Sequence, residues 1–245
     1  MTLEATVRSQ VVTPHGSLRR IKVPTATETA CSAIQEAIIL GNLKPGERLV
    51  EKKLAASLGV GQPTIRESLR ELEHQGLVFK MARGGTYVAK YRDEDYRQML
   101  EVRVTLEGSA VAEAARHLTP EAEHELGALI EASADAAERD DVAAFHQTNV
   151  AFHRRIWMLS GNRYLANALE TVAFRLMVFS VVDKGRGSRD DLRYWVQDHR
   201  TILGGIATRD GEKAREVFVT QTVKMWEQDL GTTVGSEQAG TIGPG

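Results

Sequence analysis

The sequence predicts a mainly α-helical protein in two parts: three short helices with a β-hairpin, then an all-α bundle of about six helices. Three observations predict it. Between residues 28 and 90, short apolar stripes end at glycine stops, and two β-rich runs flank Arg83-Gly84-Gly85. From Asp93 to Leu230 the apolar residues recur every three or four positions, with turn signals and no convincing strand. The charge divides at the same place. Residues 1–90 carry 13 Lys or Arg against 8 acids, all Glu, whereas residues 91–245 carry 18 against 25. A net of +5 ahead of a net of −7 suggests that the first part meets a polyanion and the second does not.

Residues 1–24, with Pro14, Gly16 and Pro24 and no apolar period, read as a flexible arm. Residues 25–90 form the first domain. Its first helix, Glu28–Leu40, lines up Ala30, Ile34, Ala37 and Ile38, then stops at Gly41-Asn42 before a Lys44-Pro45-Gly46 turn. The second, Glu51–Leu58, ends at Gly59. The third opens with Pro63 in its first turn, where the missing N–H costs nothing, and buries Ile65, Leu69 and Leu72. The runs Leu77–Lys80 and Thr86–Ala89 close the domain as a hairpin.

Two short helices joined by a glycine turn, over residues 54–78, make a helix-turn-helix, and the hairpin makes its wing. With the apolar stripe inward, Thr64, Arg66, Glu67 and Arg70 point outward. Arg66 and Arg70 stand four apart and repel each other on an isolated helix, a repulsion that a phosphate or base edge relieves. Gln62, Thr64, Arg66 and Arg70, with Arg83, Gly84 and Gly85 at the wing tip, are the candidate DNA contacts.

Residues 91–230 form the second domain, with breaks at Thr119-Pro120, Asp140-Asp141, Gly161-Asn162, Gly185–Ser188 and Asp210-Gly211. The segment Lys90–Asp93 is the candidate hinge. Four of its helices aim polar groups along apolar seams. Arg103 sits among Tyr96, Leu100, Leu106 and Ala110; Asn149 among Val142, Phe145, Phe152, Ile156 and Leu159, with His153 one turn on. His199 shares a face with Leu192, Trp195, Val196, Leu203 and Ile206, and Gln221 one with Val217, Phe218 and Met225. A buried polar group without a partner costs about 1–3 kcal/mol, so together these residues imply a polar ligand cavity. Trp195, Phe145, Phe174 and Phe179 are candidate walls. Residues 231–245, rich in Gly and Thr, read as a disordered tail.

The 245 residues are 42% apolar and 26% charged, which excludes a collagen-like or largely disordered chain. A single cysteine, Cys31, excludes a disulfide framework and a Cys-based zinc site, and reads as a small buried residue. The first residues lack a basic start followed by an apolar stretch, and the run Leu176–Phe179 is too short for a bilayer. The expectation is a cytoplasmic protein with no membrane partner.

The segments Ile39–Gly46, Leu54-Ala55, Pro63–Leu69 and Gly76–Val78 resemble the GntR family of bacterial transcription regulators. The helical half resembles the FadR-type subfamily with its FCD effector domain, and the resemblance spans about residues 28–230. It implies a homodimer on a short palindromic double-stranded operator, released by a small metabolite. Where the family typically has Ser-Arg before the recognition helix, this chain has Gly61-Gln62-Pro63. Arg66 matches the family's second DNA-facing arginine, and Gln62 replaces the first. Arginine pairs with guanine and glutamine with adenine, so the half-site is expected to differ at the base Gln62 reaches.

Many FCD domains hold a divalent metal with an Asp and three His, the first pair as Asp-x-x-Phe-His. Here that run is Asn149-Val150-Ala151-Phe152-His153, His199 matches a second histidine, and the third falls at Gln221. Two neutral amides replace usual ligands, so weak metal binding at His153 and His199, or none, is expected. Direct effector contact by Arg103, Asn149, His153, His199 and Gln221 is expected instead. Arg103 matches the Arg of the family's Arg-x-x-Leu-Glu helix and is placed to pair an effector carboxylate.

The leading expectation is a repressor released by a small organic acid. Two alternatives stay open: a metal-assisted hydrolase using Asn149, His153 and His199 with Glu107 as base, and a constitutive DNA-binding protein without an effector.

Overall fold

In the computed structural model, residues 24–82, 84–184 and 188–230 are described. The predicted arm and tail, and Arg83 at the wing tip, fall outside the described residues. The elements run α1 (Ala26–Ile39), β1 (Arg48–Leu49), α2 (Glu51–Leu58), α3 (Gln62–His74), β2 (Val78–Met81) and β3 (Gly85–Val88). Six helices follow: α4 (Asp93–Arg116), α5 (Pro120–Glu138), α6 (Val142–Leu159), α7 (Arg163–Lys184), α8 (Arg189–Ala207) and α9 (Gly211–Leu230). The protein is mainly helical, with a small antiparallel sheet serving as the wing.

Local chemistry sets the helix starts. Thr25 and Glu28 exchange hydrogen bonds in a capping box that fixes α1, two residues earlier than the sequence suggested. Thr119, Asp141 and Ser188 cap α5, α6 and α8 with side-chain oxygens. Helix α2 ends on Gly59 at φ 65°, a left-handed conformation that glycine adopts without a Cβ penalty.

Between α1 and α3 lies the core of the first domain, made by Ala30, Ile34, Ile38, Ile65, Leu69 and Leu72. Ser68, fully buried, ties the two helices by donating to the Thr27 and Thr64 carbonyls, each at 3.0 Å. Cys31 is buried beside this core, where desolvation and then the Glu71 charge push its thiol up to about 11. Strand β3 lies between β1 and β2. At two residues, β1 is too short to carry a period; its pairing of Arg48 with Tyr87 creates it.

In the second domain α4 is the central helix, packed by α6, α7, α8 and α9. Its small residues Gly108, Ala110, Ala114 and Ala115 are buried and admit close neighbours. Trp157, Trp226, Tyr96, Phe145, Phe152 and Phe218 fill the interior. None of the described helices is long and apolar enough to cross a membrane.

The domains meet where α1 touches α6 and α7. Arg175 of α7 reaches across and donates from Nε to the Gln75 carbonyl at 2.9 Å and from Nη2 to the His74 carbonyl at 3.2 Å. These carbonyls belong to the end of α3, where a cation also favours the helix dipole. Gly76 has φ +76°, and a Cβ there would collide with the Arg175 guanidinium. Tyr91 Oη adds a hydrogen bond to the Gly76 carbonyl at 2.7 Å.

Candidate nucleic-acid interface and effector cavity

Helix α3 presents Gln62, Arg66, Glu67 and Arg70 to solvent from the face opposite its buried stripe, whereas Thr64 is half-buried. The expected Arg66–Arg70 repulsion is offset locally. Arg66 Nε pairs with Glu51 of α2 at 2.8 Å, and Arg70 with Glu67 at 3.0 Å. Both pairs are exposed, so they are worth little, and a phosphate competes for either arginine. At the wing, Phe79 stacks on Tyr87 with centroids 5.6 Å apart, and Tyr87 Oη donates to the Gly84 carbonyl at 2.9 Å. Gly85 has φ +99°, and a Cβ there would stand 3.1 Å from Arg48 Nε. Arg48 therefore places a cation beside the hairpin turn, a residue that sequence reasoning missed because β1 carried no signal.

In the bundle, Arg103, Asn149, His153 and His199 gather around one cavity of about 30 Å³, with Asp198, Thr222 and Trp195 among its other walls. Gln221 is half-buried and does not line it. The inward face of α9 runs Ala214, Phe218, Thr222 and Trp226, spaced by four, which leaves Gln221 one residue off. Of the expected aromatic walls whose side chains are described, Trp195 alone takes that place. Phe145 packs behind it with centroids 5.7 Å apart, Phe174 faces the domain interface, and the Phe179 side chain is not among those described.

Glu107 is the hub. It is fully buried; its Oε2 accepts from Arg103 Nε at 2.6 Å, and its Oε1 from His153 Nδ1 and Trp157 Nε1, each at 2.7 Å. Burial alone raises a carboxyl pKa, but the Arg103 and His153 partners outweigh it and hold Glu107 well below the usual carboxylate range. His153 moves down because desolvation disfavours its charged form. With Nδ1–H donating to a carboxylate, its Nε2 is left as an acceptor. His199 lies against Phe152 with centroids 4.5 Å apart and against His153 at 5.2 Å, and burial takes its pKa well down.

Four buried polar atoms around this cavity have no protein partner: Trp195 Nε1, Trp226 Nε1, Asp198 Oδ1 and His199 Nδ1. Desolvation pushes Asp198 up to about 6, against the opposing charges of Arg103 and Lys224. The cavity thus offers two indole donors and a guanidinium beside one carboxyl and neutral imidazoles.

A divalent metal does not fit these residues. His153 has the carboxylate-oriented imidazole that metal sites favour, yet the wall adds only His199, the neutral oxygens of Asn149 and Thr222, and a single carboxyl, Asp198, whose charged form burial disfavours. Among the described residues no group of three or more His, Cys, Asp or Glu is arranged to hold a metal ion.

Residues 26–88 match the model for bacterial regulatory proteins of the gntR family, and residues 98–220 match the FCD domain. The chain belongs to the GntR family. Its FCD domain gives it the FadR-type architecture. It is 28% identical over 194 residues to a probable D-xylose utilization operon transcriptional repressor of Paenarthrobacter nicotinovorans, covering 78% of this chain and 84% of that one. It is 26% identical to a putative L-lactate dehydrogenase operon regulatory protein of Escherichia coli, with 77% and 82% covered. McbR/YncC of E. coli is similar in fold, with a TM-score of 0.67 and 24% identity over 84% of this chain and 99% of that one. This is a non-enzymatic family of DNA-binding regulators, which removes the hydrolase alternative.

Proposed function

We propose that this regulator is a homodimeric repressor, released from a palindromic operator when a small organic acid enters the bundle. The observation that carries the reading is the set of four unpartnered polar atoms facing one cavity beside Arg103. Each unpaired group costs about 1–3 kcal/mol, and a ligand that pairs with them recovers that cost. A carboxylate suits Arg103 and the two indole N–H groups. Asp198 Oδ1 needs a donor, so the effector carries a hydroxyl or ammonium group as well.

At about 30 Å³ the cavity holds a water or two, so a metabolite must displace its walls. Met177 and Ser180 of α7 are among them, and Arg175 on the same helix grips the end of α3. An effector that favours a shifted α7 therefore moves the recognition helix relative to the bundle. Two recognition helices must match half-sites at a fixed spacing, so that shift lowers operator affinity by the differential binding energy.

Gln62, Thr64, Arg66 and Arg70, with the wing Arg83, Gly84 and Gly85, make the DNA contacts in this reading. Selection of duplexes from a random pool, then binding with and without a panel of hydroxy and amino acids, tests it. A palindromic site, a steep loss of affinity with salt and release by at least one acid are expected. Tight binding that no acid of the panel changes would favour a constitutive DNA-binding protein.

A further inference from the structure

A second cavity, of about 360 Å³ and open to solvent on one side, lies between the domains, bordered by α1, the end of α3, α6 and α7. That volume is in the range of small-molecule sites. Two of its side chains carry buried polar atoms without protein partners. His146 is 2% exposed, and neither ring nitrogen is bonded. Gln75, the C-cap of α3, uses Nε2 on Glu71 at 2.9 Å while its Oε1 is buried and unpaired. Neither belongs to the bundle cavity or to the DNA-facing surface.

We propose that this interdomain cavity binds a small neutral polyhydroxylated molecule, a monosaccharide or a sugar alcohol. Charge argues for a neutral ligand. Arg154 is already paired with Glu170, with Nε to Oε2 at 2.7 Å, and its guanidinium lies 5.5 Å from the Phe174 ring centroid. Glu36 brings a carboxylate to the wall, which opposes an anion. His146 stays neutral, because burial and then the Arg154 charge take it down to about 4. It therefore presents one N–H donor and one acceptor nitrogen, while Gln75 Oε1 accepts only.

Hydroxyl groups answer that set, since each donates and accepts. Shape argues the same way. The His146 and Phe174 rings are 6.2 Å apart and inclined by 59°, so they make a wedge and not a parallel slot for a planar base. Phe174 and Ile39 supply the apolar ground on which the C–H face of a sugar rests, and Gln147 adds an amide at the wall. A ligand held by Gln75 and His146 bridges both domains and fixes the end of the recognition helix against the bundle.

Titration calorimetry of the full chain with D-glucose, D-ribose and sorbitol, and with gluconate and adenosine as contrasts, tests the proposal. Saturable binding of at least one neutral polyol is expected. His146→Phe and Gln75→Met should each weaken it about tenfold or more, with unchanged circular dichroism. Without ligand, His146→Phe should melt at or above the wild-type temperature, because it removes two unpaired buried nitrogens. Binding of none of the three polyols, binding unchanged in both variants, or binding of gluconate or adenosine alone would overturn the proposal. So would a clear drop in the melting temperature of His146→Phe. Arg103 lines the bundle cavity and not the interdomain one, so an Arg103 variant tests the organic-acid reading separately.

Discussion

The recognition surface and the bundle interior both present arginine and glutamate pairs, and the two sets do opposite work. Around α3, Arg66–Glu51 and Arg70–Glu67 are solvent-exposed, so water and salt screen them and each arginine is open to exchange its carboxylate for another anion. In the bundle, Arg103–Glu107 is 2.6 Å long with both side chains at or below 5% exposure, and two further donors complete the carboxylate. Charge at the surface is open to a partner, whereas the interior pair commits Arg103 Nε and Glu107 to the fold. The remaining guanidinium donors of Arg103 and the unpaired polar atoms beside it are what is left for an effector.

Breaking the interior hub should give the largest effect. Glu107→Ala leaves Arg103 buried without its counter-charge and strips acceptors from His153 and Trp157. The expected loss is about 3–5 kcal/mol in denaturant unfolding, and a loss below 1 kcal/mol would place the hub outside the core energetics. Trp157→Phe keeps an aromatic side chain but gives up part of the buried indole volume and the one donor to a charged acceptor, for an expected loss of about 1.5–3 kcal/mol or somewhat more.

Asp198 sharpens the contrast in the other direction. Its pKa rises from 3.8 to about 6 on burial, so the folded chain holds its proton more tightly than the unfolded chain. That contribution is complete below pH 3.8 and is lost as the pH rises through 6. Asp198→Asn should therefore raise stability at pH 7.5 by about 1–3 kcal/mol, with the gain shrinking as the pH falls through 6. A melting temperature that falls at pH 7.5 would mean that Asp198 is paired. The smallest effect is expected at Arg175→Met, which loses two bonds to the end of α3; about 1 kcal/mol of stability and a few-fold loss of operator affinity should follow.

Much of this was legible in the chain. The three N-terminal helices and all six bundle helices follow from stripes, caps and glycine stops, because those signals are local. Arg103, Asn149, His153 and His199 were legible as polar residues on apolar seams. Glu107 entered only as the base of the hydrolase alternative; its place as a buried hub was not legible, since α4 is packed from several sides and buries residues beyond a single seam. Thr222 was masked by Gln221, because a one-residue change in the facing of α9 exchanges them. Phe174 and His146 were placed wrongly or passed over for another reason. They face the other domain, and no helical period reports contacts between domains.

The contrast between surface and interior charge is tested most directly by measuring two quantities on the same two variants. Arg66→Ala and Trp157→Phe are compared with wild type for melting temperature and for affinity to the selected operator, at a temperature where all three are folded. The account predicts that Arg66→Ala loses about tenfold or more in affinity with almost no change in melting, while Trp157→Phe melts earlier and binds normally. An Arg66→Ala protein that binds as tightly as wild type, or a Trp157→Phe protein that melts unchanged, would contradict it.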